Sequence, residues 1–402
     1  MSNAISRRNL MELGLGASAL LATGRAEAEP ATASRRSALP EAEKVGFAVV
    51  GIGKLSSGQI IPGFRNSRSA KLTALVSGHA DKARRVAAEN GVAANAIYSY
   101  ENFDRIAADP RIQVVYIVLP NFMHAEYTIR ALKAGKHVLC EKPMATSVAD
   151  ARAMIDAAKA AERHLMIAYR CQYEPLNLEA MRRVRSGALG KPRLIVTNMG
   201  RQTDLAEPSD AWRLDMAKSG GGALADMGIY GINASRYLLN EEPASVRAWA
   251  QTDRHDPRFA TTDDLIAWQF RFPSGAIANG STSFSCSPTM SYQVICEQGR
   301  LVADPGAFYG GNHLSIEGLP SGETRVNIVE DDQFAREMDW MADVVRGRAP
   351  MVSPGEEGLQ DMRLMSAILS SVRNHGETVS TSWGYRRAFD PAVVVDPPAH
   401  RS

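Results

Sequence analysis

The feature that most constrains this chain is the run Val49-Val50-Gly51-Ile52-Gly53-Lys54-Leu55-Ser56, a short apolar segment that ends in a glycine turn and opens a helix. A glycine pair means little alone, but directly after a strand and before a helix it has a physical reading. Gly51 permits the tight turn. Gly53 lets the backbone come close to a pyrophosphate at the helix N-terminus, where free N–H groups and the helix dipole favour negative charge. Ser56 stands where a third glycine or alanine is usual and is small enough for the helix to pack on the strand.

The flanking pattern repeats this unit. From Lys44 to Ala168, apolar strands (Val45 to Val50, Leu72 to Val76, Val114 to Leu119, His137 to Leu139, Leu165 to Ala168) alternate with helical runs beginning near Ser57, Asp81, Ser99, His124 and Ser147. Ser99 and Ser147 are expected as N-caps. Such alternation predicts a parallel sheet covered on both faces, a Rossmann dinucleotide-binding domain over residues 44–170. Beyond Tyr173 the texture changes to alternating strands at Leu194 to Met199, Val246 to Thr252, Leu265 to Phe272, Ala276 to Ser283 and Tyr292 to Glu297. Helices are expected at Pro175 to Ser186, Gly222 to Leu239, Gln333 to Arg346 and Pro354 to Arg373. Residues 171–402 therefore read as an α+β domain built on an open, mostly antiparallel sheet, serving substrate binding and oligomerisation.

Residues 1–28 read separately. Ser6-Arg7-Arg8-Asn9-Leu10-Met11 precedes an apolar run of about 13 residues, short of the ~20 that span a bilayer, and Ala26-Glu27-Ala28 offers a cleavage site. This predicts a twin-arginine signal and a periplasmic protein. The other reading is a plain basic leader, favoured by Glu12 and Arg25. Residues 29–43 form a short arm. With 45% hydrophobic residues, 22% charged residues and a net charge of +2, the chain is expected to be globular and to bind neither nucleic acid nor membrane. Cys140, Cys171, Cys286 and Cys296 lack paired spacing and read as buried free thiols. No metal site is expected.

At the end of the second strand, where an acidic residue would bond a ribose 2′-hydroxyl, the chain has Ser77-Gly78-His79-Ala80-Asp81-Lys82. Ser77, with Lys82 and Lys54 as positive charge, favours NADP over NAD; the plainer reading leaves both lysines as solvated helix residues. Glu141-Lys142-Pro143 follows a strand at the carboxyl edge of the sheet, and its proline is compatible with a cis bond. Asp226 and Tyr230, four apart after Gly220-Gly221-Gly222, share a helix face. A tyrosine near Lys142 is expected to have a lowered pKa and to serve as general acid and base.

The turn Gly51 to Leu55, the triplet Glu141-Lys142-Pro143, the segment Tyr169 to Pro175, Trp212-Arg213-Leu214 and the run Gly220 to Tyr230 together resemble the glucose-fructose oxidoreductase branch of the glucose-fructose oxidoreductase and inositol dehydrogenase (Gfo/Idh/MocA) superfamily. The resemblance implies NADP chemistry on sugars, with the nicotinamide between Lys142 and Tyr230. It implies that Lys142 positions sugar hydroxyls and tunes the tyrosine, that Asp226 holds a hydroxyl and that Tyr230 moves the proton. Tyr173, Arg170 and Arg213 become pocket or cofactor contacts. Gly51, Gly53, Lys54, Leu55, Ser77, Lys82, Glu141 and Lys142 belong to the cofactor side, together with Pro120, Asn121 and His124; His124 reads equally as a plain helix-start residue. A homo-oligomer, dimer or tetramer, through the second sheet is also implied. The expected reaction oxidises an aldose at C1 to a lactone and reduces a second sugar, fructose or an aldose, on tightly bound NADP. An NADP-dependent dehydrogenase with exchangeable cofactor is the alternative, and a sugar sensor without turnover is the reading from another class.

Overall fold

The computed structural model describes residues 37–318, 322 and 325–397, so the expected signal and most of the arm lie outside the described residues. The first sheet contains β1 (Val45–Val50), β2 (Ala70–Val76), β3 (Ile97–Tyr98), β4 (Val114–Ile117), β5 (His137–Glu141) and β6 (Leu165–Ala168). All pairings are parallel, in the order β3-β2-β1-β4-β5-β6. Every residue of β1 is buried, as a central strand covered on both faces requires. The strand order reverses between β1 and β4, and in this fold ligands bind at that crevice, beyond the carboxyl ends of the strands.

The turn after β1 explains its glycines. Gly51 has φ +94°, and a Cβ there would lie 2.3 Å from the Val118 carbonyl oxygen. Gly53 is different, since a Cβ would meet nothing within 4 Å. The first is needed by the fold and the second leaves the turn open to a ligand. Ser56 is buried and ties the turn together, donating from Oγ to the Gly51 carbonyl at 2.7 Å and accepting from the Gly53 N–H at 2.8 Å. The helix that follows widens into a π turn at Ser56–Ile60 before Ile61–Asn66, which accommodates Pro62, a residue without an N–H.

Three expectations need correction. Ser99 caps no α-helix; its N–H donates to Asn102 Oδ1, and only a 3-10 helix, Phe103–Ala108, follows. Pro110 keeps Asp109 in an extended conformation and stops the element there. β4 ends at Ile117 rather than Leu119, because the Leu119 carbonyl meets the His124 ring and Pro120 has no N–H to offer. β5 runs on to Glu141, since Cys140 and Glu141 pair with Ile167 and Ala168. Ser147 does cap the helix Val148–Ala161, accepting from the Asp150 N–H at 3.0 Å.

The second sheet comprises β7 (Pro192–Gln202), β8 (Ser245–Gln251), β9 (Leu265–Arg271), β10 (Ile277–Ser283), β11 (Ser285–Cys296), β12 (Arg300–Ala303), β13 (Leu314–Glu317) and β14 (Val379–Ser380). Its order is β13-β12-β11-β7-β10-β9-β8-β14, antiparallel except between β7 and β10. β3 of the first sheet and β12, β13 and β14 of the second are additional to the strands expected from sequence. Alternate residues of β9 are buried, so one face is covered and the other carries exposed Leu265, with Trp249 exposed on β8. Helices Ile229–Leu239 and Gly355–Arg373 are joined by the fully buried Arg236, whose guanidinium pairs with Glu357 and Asp361. Cys140, Cys171 and Cys296 are buried free thiols and Cys286 is half-buried.

These two glycines separate folding from binding. Gly51→Ala should lower the denaturation midpoint, with a conformational cost of about 1–3 kcal/mol before the clash is counted. Gly53→Ala should leave the midpoint near that of the parent protein; chemical denaturation of both variants checks this.

Candidate active site

Three stretches of backbone bring the polar residues of the cleft together. β5 ends in Glu141 and delivers Lys142, whose peptide bond to Pro143 is cis. The turn after β6 delivers Arg170. From the second half, a π turn at Leu224–Gly228 carries Asp226, and the helix Ile229–Leu239 carries Tyr230 in its first turn. The preceding glycines allow close packing: at Gly220 (φ +74°) a Cβ would lie 2.7 Å from Thr146 Cα, and at Gly222 (φ +55°) 2.8 Å from Thr262 Cβ.

Lys142 Nζ donates to the Asp226 backbone carbonyl at 2.8 Å and lies 3.8 Å from Asp226 Oδ1. It also stands 4.4 Å from the centre of the Tyr230 ring, and the Arg170 guanidinium stands 4.8 Å from that same centre. Asp226 Oδ2 is 3.2 Å from both Arg201 Nη2 and Arg213 Nε. Burial alone would raise the Asp226 carboxyl, but Arg213, Lys142 and Arg201 hold it well below the carboxylate range. Burial moves the Lys142 ammonium down, against the opposing pull of Asp226 and Glu141. Tyr230 corrects the expectation of a lowered phenol: burial raises it well above its ordinary value, although Arg170 acts to lower it. The resting group is a neutral phenol with two cations against its ring.

Lys142, Arg170, Arg213, Asp226 and Tyr230 line one cleft of about 810 Å³, together with Lys54 and Leu55 from the glycine turn. Lys54 Nζ meets Glu207 Oε2 at 2.6 Å, so its charge is engaged at the cleft wall. Sequence reading missed Arg201, Glu207 and Tyr309. Arg201 is one of two arginines on β7, with nothing local to tell it from Arg193, and Tyr309 lies on the loop between β12 and β13, far along the chain. Only Glu207 carried a local signal, a capping carboxylate before a proline-initiated helical turn.

Other expected site residues lie elsewhere. Tyr173 is a core residue with 0% exposure, its hydroxyl bonded to Ser353 Oγ at 2.9 Å. Asn121 Nδ2 donates to the Ser219 carbonyl, so it fixes the glycine run. Pro120 precedes it as the N-cap of helix Asn121–Lys133. His124 is buried with its ring nitrogens 2.8 Å from the Leu119 and Pro143 carbonyls, and burial brings its pKa down to about 4. Glu141 lies beneath the cleft, bonded to Tyr116.

A dinucleotide fits the remaining features. The open side at Gly53 suits a pyrophosphate on the first-turn amides of the following helix. At the end of β2, Ser77 is buried and accepts from the His79 N–H, Lys82 stands in the next helix and Asp81 turns to Arg84. The position at the strand end itself is the uncharged Ser77, which leaves room for a 2′-phosphate. Among the described residues no group of three or more His, Cys, Asp or Glu is placed to hold a metal.

The Asp226 environment has a consequence in acid. A carboxyl held below its ordinary 3.8 contributes stability that is complete above that pH and lost as pH falls toward the folded value. Asp226→Asn should therefore flatten the acid limb of a melting-temperature profile relative to the parent chain.

Residues 45–169 match the oxidoreductase family with NAD-binding Rossmann fold, and residues 177–302 match the GFO/IDH/MocA C-terminal domain. The chain is 32% identical over 340 residues to D-xylose 1-dehydrogenase [NADP(+)] of Haloarcula marismortui, covering 84% of this chain and 92% of that protein. It is 27% identical over 333 residues to 1,5-anhydro-D-fructose reductase of Ensifer adhaerens, covering 81% and 95%. The fold is similar to the crystal structure of aldose-aldose oxidoreductase from Caulobacter crescentus complexed with glycerol, with TM-score 0.79, 40% identity and coverage of 84% and 99%. With the parallel sheet and most of the second sheet matched and these residues gathered where they meet, the chain belongs to the Gfo/Idh/MocA oxidoreductase family.

Proposed function

We propose that this protein is an NADP-dependent sugar oxidoreductase acting on CH–OH groups, which oxidises an aldose at C1 to a lactone and reduces a second sugar, fructose or an aldose, to an alditol. The observation that carries the reading is a neutral, buried Tyr230 flanked by Lys142 and Arg170, beside an ionised Asp226, in a cleft that begins at the glycine turn. The 40% identity to an aldose-aldose oxidoreductase supports the two-sugar form. The likeness to a D-xylose 1-dehydrogenase favours the second reading, the same oxidation with a cofactor that leaves after each turnover.

Bound NADP supplies the hydride acceptor for one sugar and the hydride donor for the other. The turn Gly51 to Leu55 would hold its pyrophosphate, and Ser77 and Lys82 the adenosine ribose and its phosphate. Asp226, kept ionised, accepts a hydrogen bond from a sugar hydroxyl, and Lys142 donates to a neighbouring sugar oxygen. Tyr230 gives its proton to the oxygen of the carbonyl being reduced. The resulting phenolate is stabilised by Lys142 and Arg170 until it takes the O1 proton of the next aldose. One proton thus shuttles on one residue through both half-reactions.

Export by the twin-arginine signal and work in the periplasm belong to the same proposal. An exported enzyme has no soluble nicotinamide pool, so a cofactor recycled in place suits that setting. The exposed Trp249 and Leu265 on the open face of the second sheet suit a homo-oligomer.

The near-ultraviolet spectrum of purified protein without added cofactor tests the cycle. Glucose should raise a reduced-nicotinamide band and fructose or a second aldose should then abolish it; a band that appears only on adding NADP favours the exchangeable dehydrogenase. Tyr230→Phe should lower turnover by about 10²–10⁴-fold while cofactor binding persists, as read by fluorescence titration.

A further inference from the structure

Beneath the cleft, Tyr116 of β4 places its hydroxyl oxygen 2.9 Å from Glu141 Oε1 and 2.9 Å from Glu337 Oε1. Tyr116 and Glu337 have 0% exposure and Glu141 7%. A phenol carries one proton and an ionised carboxylate carries none. Tyr116 can donate to one of the two acids only. The other oxygen sits at hydrogen-bond distance because its own acid donates to the phenol oxygen, so the trio holds one proton more than a tyrosine and two carboxylates.

The surroundings decide which acid keeps it. Burial raises the Glu141 carboxyl, but Lys142, the next residue, and Arg170 both act against that and favour its ionised form. Glu337 is faced by Tyr116, Glu141, Arg170, Asp332, Cys171 and Tyr173, among which Arg170 is the one cation. Its second oxygen, Oε2, has no hydrogen-bond donor among the described residues, an arrangement costly for a buried anion and much less so for the carbonyl of a neutral acid. Glu337 also shares a helix face with Gln333, four residues earlier on Gln333–Val345, and Gln333 Oε1 accepts from Arg170 at 2.5 Å. One face of one helix therefore bonds Arg170 directly through Gln333 and meets Glu141, the residue before Lys142, through Tyr116.

We propose that Glu337 is a positioning residue that stays protonated in the working protein, so that the chain Glu337–Tyr116–Glu141 leaves a single buried anion, on Glu141, beneath Lys142 and Arg170. The proposal rests on the reading in which those cations serve Tyr230, and it gives the charge balance that site needs: one anion below two cations, with a neutral acid holding the geometry.

The test is infrared spectroscopy of the full-length protein near pH 8, comparing it with Glu337→Gln and Glu141→Gln. A carbonyl band of a protonated carboxylic acid should be present in the parent, absent from E337Q and retained in E141Q. Loss of the band in E141Q alone, or no such band in the parent, overturns the assignment. In turnover, Glu337→Leu should lower kcat about tenfold with little change in KM and shift the pH profile, while the neutral isostere in E337Q restores the shape of that profile. An E337Q profile displaced as far as that of E337L also overturns the proposal. Should E337Q fail to fold, Tyr116→Phe retains both acids and should keep the band at a shifted frequency; its disappearance counts against the proposal. The infrared comparison needs no sugar, so it stands or falls separately from the oxidoreductase reading.

Discussion

The hydrogen bond from Lys142 Nζ to the Asp226 carbonyl is the contact on which the rest of this site depends. It joins the carboxyl edge of the parallel sheet to the π turn of the second half. A buried ammonium needs partners, and here a backbone carbonyl supplies the first and the Asp226 carboxylate the second. Once that bond is fixed, Tyr230, four residues further along, has its ring against the lysine. The bond requires the glycine run to lie close on Thr146, a distance no Cβ tolerates, so the glycines of one half and the Glu-Lys-Pro turn of the other are parts of one joint.

Charge is arranged around this joint in layers. Asp226 is ringed by Arg201, Arg213 and Lys142 and stays ionised. Lys142 and Arg170 flank a phenol that burial keeps neutral. Below them, Glu141 and Glu337 share Tyr116. Because these side chains are buried or half-buried, their fixed charges act more strongly than they would at a surface and need no reorganisation when a proton moves. A tyrosine that starts neutral suits proton donation, and Arg170 acts against burial to favour its ionised form.

Much of the fold was legible because its signals are local. Five of the six parallel strands and the glycine turn follow from apolar runs and strand-to-helix punctuation, and two of the errors fell where a proline acted, at Pro110 after a short 3-10 helix and at Pro120 after β4. The short strands β3, β12, β13 and β14 were not legible, since so few residues leave no period to read and they lack the continuous buried apolar run that marks the equally short β4 and β6. Within the site, Lys142, Asp226 and Tyr230 were named from motif and helix spacing. Tyr173 was misplaced because a tyrosine next to a motif looks the same whether its ring turns to the cleft or to the core.

By itself, the sequence determined what lies within a few residues along the chain: the glycine turn and its helix, the cap at Ser147, the shared helical segment of Asp226 and Tyr230, and the absence of a carboxylate at Ser77. Only the tertiary structure decided the environment of each group. It set Arg201, Glu207 and Tyr309 at the cleft, placed Glu337 beneath Glu141, and turned an expected acidified phenol into a neutral one. The physical reason is that burial and charge proximity depend on distances through space, and residues 116, 141 and 337 acquire a common proton only when folding brings them within 3 Å of one oxygen.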